Sequence, residues 1–136
     1  MTSKMNLQFT LFLSILTLLC SCKNTDSSPP PSPAVSRDVK YELTGTASGQ
    51  FTNISVIYIA ASGTALSEDK ITLPWSKTLK INDNVAAITF QTAVSGATPN
   101  QTITAKIIVG GVVKVQETAL VASNGIATLA LPGYIF

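Results

Sequence analysis

The sequence predicts an all-β protein: a small immunoglobulin-like β-sandwich of about seven antiparallel strands, preceded by a signal peptide and a Pro-rich linker. Three observations carry that expectation. Apolar residues in 38–136 recur every second position, the period of a half-buried strand rather than of a helix. Clusters of Gly, Asn, Asp and Pro punctuate these runs where turns are needed. The segment is also about 100 residues long, the size of such a sandwich and enough to bury a core without disulfides.

The N-terminus reads as an address. Residues 7–19 are mostly apolar and uncharged, and Lys4 precedes them. The run is shorter than the roughly 20 apolar residues a spanning helix needs, and it fits the core of a signal peptide. Leu19-Cys20-Ser21-Cys22 closes it in the pattern of a bacterial lipobox. Ser21 is small enough for the peptidase pocket, so cleavage is expected between Ser21 and Cys22. Cys22 then carries the lipid on its thiol. Cys20 is the poorer candidate, because Leu19 would sit at the cleavage position. Two or three acyl chains would anchor the mature protein durably. Residues 1–21 are thus read as lipoprotein signal peptide.

Residues 22–37 follow as lipidated Cys and disordered linker. Pro29, Pro30, Pro31 and Pro33 lie here among Ser and other polar residues, and Val35 is the one large apolar side chain. Such a segment cannot bury a core. Extended as polyproline II at about 3.1 Å per residue, it would hold the domain off the membrane. Lys23 stands where inner-membrane retention signals carry Asp, which favours the outer membrane, with periplasmic side or surface left open.

Residues 38–136 form the sandwich domain. Val39, Tyr41 and Leu43 alternate with Lys40, Glu42 and Thr44. Ile54, Val56 and Tyr58 alternate with Asn53, Ser55 and Ile57. Leu79 and Ile81 follow Pro74-Trp75, and Ala86, Ile88 and Phe90 make the next run. Ile103, Ala105, Ile107 and Val109 alternate with Thr102, Thr104, Lys106 and Ile108. The last run is read either on Ile126 and Thr128 or on Ala127, with Leu129 and Leu131. Gly110-Gly111 lies between two β-branched runs, and both glycines can take positive φ, so a two-residue hairpin is expected. That register sets Ile107 opposite Lys114, an arrangement suited to an edge strand guarded by the lysine. Residues 67–70 are left as a polar loop or a single helical turn.

The composition narrows the chemistry. The chain has no His, a formal net charge of +2 and 12% charged residues. His-based nucleophile activation and His-ligated metal sites are excluded, and no basic patch marks nucleic acid as a partner. The carboxylates of the body are Asp38, Glu42, Glu68, Asp69, Asp83 and Glu117. Glu68-Asp69 are neighbours in the presumed loop and should diverge, whereas a glycosidase needs two converging carboxylates. Asn82-Asp83-Asn84 offers oxygen ligands without the Gly and bidentate Glu of a calcium loop, so a plain turn is favoured. No catalytic residue, metal site or cofactor is expected. Trp75, Tyr41, Tyr58 and Phe90 are read as core, with Trp75 and Phe51 as the candidates if a sugar platform exists. Tyr134-Ile135-Phe136 would close a sheet edge or offer a small patch.

Leu73-Pro74-Trp75-Ser76-Lys77, with Tyr41-Glu42-Leu43-Thr44-Gly45 before it and Thr102 to Val113 after it, resembles the soluble domain of the mycobacterial MmpS membrane proteins. The likeness spans roughly residues 39–117. It implies a small β-sandwich outside the cytoplasmic membrane. It also implies an accessory role beside resistance-nodulation-division transporters, and no catalytic residues. The motif residues Leu73, Pro74, Trp75, Ser76 and Lys77 are then structural. Ala105 stands where that family would carry a disulfide Cys. The resulting expectation is a non-enzymatic cell-envelope protein, held to the membrane by its N-terminal lipid, whose sandwich binds a protein partner such as a transporter. The alternative is a glycan- or small-ligand-binding envelope lipoprotein.

Overall fold

The computed structural model describes residues 34–46 and 53–136. Ser21, Cys22 and Phe51 lie outside the described residues.

Ten strands run in chain order: β1 Asp38–Gly45, β2 Asn53–Ile59, β3 Ala65–Asp69, β4 Trp75–Lys80, β5 Ala87–Ile88, β6 Phe90–Ser95, β7 Thr102–Val109, β8 Val112–Leu120, β9 Ala127–Ala130 and β10 Tyr134–Ile135. They build two four-stranded antiparallel sheets. The first has the order β4-β1-β7-β8 and the second β3-β2-β6-β9, while β10 and β5 form a separate short pair.

The sheets face each other across one apolar core. Val39, Tyr41 and Leu43 of β1 and Ile103, Ala105, Ile107 and Val109 of β7 point inward from the first sheet. Ile54, Val56 and Tyr58 of β2 and Phe90 and Val94 of β6 meet them from the second. Each large side chain buried this way contributes roughly 1.5–3 kcal/mol relative to exposure. The Tyr41 ring packs 5.4 Å from both Tyr58 and Phe90. Its hydroxyl donates to the Ile59 carbonyl at 2.8 Å, so one phenol ties the sheets together. The buried Thr92 hydroxyl likewise donates to the Ser55 carbonyl at 2.9 Å. The last run settles on the second phase: Ala127, Leu129 and Leu131 are buried, and Ile126 is exposed.

Three departures from the sequence expectation have physical reasons. The strand count among the described residues is ten rather than about seven. β5 and β10 are two-residue pairings too short to leave a periodic trace. Where the sequence suggests a polar loop or helical turn, the structure has β3: its side chains are mostly exposed, and its pairing comes from the backbone of β2, with Val56 opposite Glu68 and Tyr58 opposite Leu66.

The third departure concerns the glycine hairpin. Gly110 and Gly111 both take positive φ, 58° and 79°, as a two-residue loop joining twisted strands needs. Val109 then pairs with Val112 and Ile108 with Val113, but Ile107 pairs with Val115. Lys114 is the extra residue of a β-bulge. The bulge restores an apolar residue opposite Ile107 and leaves the charge at the edge strand.

Candidate functional site

The family-like motif falls at one open side of the sandwich. β3 is an edge of the second sheet and β4 an edge of the first. Leu73, Pro74 and the residues before them carry the chain from one to the other, through a cis Leu73-Pro74 peptide bond. Trp75, Lys77 and Leu79 lie opposite Leu43, Tyr41 and Val39, so all three take the inward phase of β4. Ser76 and Thr78 point outward beside Glu42 and Lys40.

Lys77 takes the inward phase while its side chain stays 41% exposed, and Glu68 gives it an anionic partner from β3. Its Oε1 accepts from the Lys77 ammonium at 2.9 Å and from the Tyr58 hydroxyl at 2.7 Å. Its Oε2 accepts from the Trp75 indole N–H at 3.2 Å. The indole stacks on Phe90 at 5.7 Å and tilts against Tyr58 at 5.8 Å. The Lys77 ammonium also lies 5.8 Å from the centre of the Tyr58 ring. One carboxylate thereby gathers donors from β2 and β4 and fastens two edge strands of different sheets. An inward-pointing charge at an edge also opposes pairing with a foreign strand.

The electrostatics match a lock rather than an acid–base centre. The hydrogen bond from Tyr58, followed by that from Lys77, lowers the Glu68 pKa below its ordinary value. Burial, reinforced by the bond to Glu68, raises the Tyr58 pKa. The bond to Glu68 raises the Lys77 pKa. Each group is therefore held in its ordinary charge state at neutral pH. A general acid or base needs the opposite, a pKa brought toward the working pH.

The other carboxylates stand apart. Glu42 lies on the outer face of the first sheet, accepting from Lys40 at 2.8 Å and Lys106 at 3.0 Å, and these bonds lower its pKa. Asp69 is the exposed neighbour of Glu68, so the pair diverges as expected. Asn82-Asp83-Asn84 forms a turn, closed by the Val85 amide on the Asn82 carbonyl, and Asp83 faces Arg37 at 3.8 Å. No group of three or more metal-ligating side chains gathers among the described residues.

The aromatic expectation holds for three residues and changes for the fourth. Tyr41, Tyr58 and Phe90 are fully buried, whereas Trp75 is half-buried at the sheet edge, its ring and N–H both engaged by core groups. Sequence reasoning missed Glu68 as its partner. The signal was present: in the alternation Trp75-Lys77-Leu79, a lysine holds a core-facing position.

The motif closes the open side of a two-sheet sandwich, an architecture that hosts many unrelated functions. A family model described as Mycobacterium membrane protein matches residues 10–128. The chain belongs to that family, the one that holds the MmpS proteins, and is a membrane-associated envelope protein. A comparison with curated proteins finds no match.

Proposed function

We propose that the chain is a non-catalytic, lipid-anchored envelope protein whose sandwich binds a protein partner as an accessory to a membrane transporter. The observation that carries this reading is the outer face of the second sheet. Ser55, Ile57, Gln91, Ala93, Thr128 and Ala130 line a shallow, open groove of about 210 Å³ there. These side chains are uncharged, and Ile57 is exposed among them. An uncharged groove of this kind suits another protein surface, because little charge must be desolvated when it is covered.

The sequence supports the anchor. Leu19, Ser21 and Cys22 follow an uncharged apolar run, and Lys23 favours the outer membrane. The family supports the transporter as partner class. The test is photo-crosslinking in cells from position 57, in the wild-type background and with Cys22→Ser. A crosslink to a transporter subunit that needs Cys22 is the expected result. Well-expressed, correctly located protein with no protein adduct from position 57 would refute the partner reading.

A further inference from the structure

Four of the large exposed apolar side chains stand around the place where residues 34–37 join the domain. The Gly110 amide donates to the Asp38 carbonyl at 2.8 Å, and a Cβ on Gly110 would meet the Ser36 Cβ at 2.8 Å. The joining segment therefore lies directly on the β7–β8 turn. On its other side, the Arg37 guanidinium sits 4.2 Å from the centre of the Phe136 ring and donates to the Val85 carbonyl at 2.6 Å. Val35 is 51% exposed, Val112 55%, Val113 49% and Ile135 75%. Two cations belong to the same end. Lys114 occupies the bulge one residue beyond Val113, and Lys80 ends β4 opposite Asp38. Neither makes a salt bridge among the described residues, whereas Arg37 faces Asp83.

We infer that this end of the sandwich docks on a lipid surface bearing anionic headgroups. The valines and Ile135 enter the interface, and Lys80 and Lys114 meet the headgroups. The inference rests on the anchored-envelope reading and deepens it. Two features of the chain choose lipid as the occupant. The remaining residues, 1–33, attach at this same end and contain the uncharged apolar run 7–19. A tether there keeps the exposed valines near a bilayer whatever holds its far end, and raises their effective concentration at the surface. The cations beside the valines add attraction to a negatively charged leaflet. Small apolar tips flanked by lysine are the composition of a weak interfacial contact, which acts only when a second element tethers the protein.

The test uses the full membrane-extracted chain in vesicles. A bimane label is placed at Val113→Cys or, as control, at Ser123→Cys in the exposed turn at the other end of β8. Quenching by nitroxide-bearing lipids is read in phosphatidylethanolamine–phosphatidylglycerol vesicles and in phosphatidylcholine alone. Intact mass of the same sample reports the anchor separately. The inference expects quenching at position 113 about fivefold or more above that at 123 in the anionic vesicles. It expects that excess to fall about threefold with Lys80→Glu and Lys114→Glu together. Thermal unfolding shows that each variant is folded. Equal background quenching at both positions overturns the docking, and the mass then tells whether the anchor reading stands without it. Quenching at 113 in a chain of unacylated mass, kept when Cys20→Ser and Cys22→Ser leave position 113 as the one labelled thiol, supports the docking and sinks the anchor. A photo-crosslink from position 113 to a protein in cells, without lipid quenching, overturns it in favour of a protein at this end.

Discussion

Glu68 shows how one residue can set the chemistry of a whole edge. It accepts from Tyr58, Lys77 and Trp75, which fixes the relation of β3 to β4. Glu68→Gln keeps the shape but loses the charge, so stability at neutral pH should fall by about 1–2 kcal/mol, the loss being moderated by solvent at this edge. The pH dependence has a definite sign. The Glu68 pKa is lowered in the folded protein, so its contribution is complete above the ordinary value of 4.5 and is lost as pH falls through the depressed folded value. Urea titrations of both proteins should therefore differ at pH 7 and converge once the pH falls below the depressed folded value. A constant difference across that range would mean the carboxylate acts by shape alone. Trp75→Ala removes the stack on Phe90 as well as a hydrogen bond and should cost about 3 kcal/mol, the low end for a tryptophan that is only half-buried. Trp75 as a packing residue was legible in the sequence. The inward lysine hinted at an acidic partner, but which residue supplies it was not legible, because Glu68 sits in a strand whose exposed neighbours give no alternation.

At the scale of elements, the β7–β8 hairpin separates what pattern reveals from what it hides. Gly110-Gly111 announces the turn, and both residues adopt the positive φ that only glycine takes easily. The one-residue bulge that follows leaves no mark except a lysine in an awkward register. The two glycines should respond differently to alanine. Gly111 has open space around its would-be Cβ, so Gly111→Ala carries the conformational cost alone, about 1 kcal/mol. Gly110→Ala must also displace Ser36, so its midpoint in urea should fall further. Equal losses would show that the segment joining at residue 36 does not press on the turn. Lys114 has a second task, since β8 is an unpaired edge nine residues long. Deleting it removes the bulge while keeping Ile107 opposite Val115. The variant should fold and yet associate at high concentration, which size-exclusion chromatography detects. The inward lysine of β4 guards the opposite edge in the same way.

At the scale of the molecule, the sandwich class, the core phases of β1, β2, β6 and β7, and the family likeness were all readable from residue types. The face proposed for a partner was not. Ser55, Ala93, Thr128 and Ala130 are unremarkable in a strand sequence, and only the alignment of β2, β6 and β9 makes them one surface. Cys22 is the converse case: its argument lives in the sequence and concerns residues outside the described structure. Intact mass of the membrane-extracted protein should give a chain beginning at Cys22 with added acyl mass. A chain beginning there without it would remove the anchor. In the proposed function, the tether presents the neutral face of the sandwich to a membrane partner. The measurement that tests this most directly is photo-crosslinking in cells from position 57, with and without Cys22→Ser. The account predicts an adduct to a transporter subunit that disappears with the anchor; a folded, correctly located protein that forms no protein adduct from this face would contradict it.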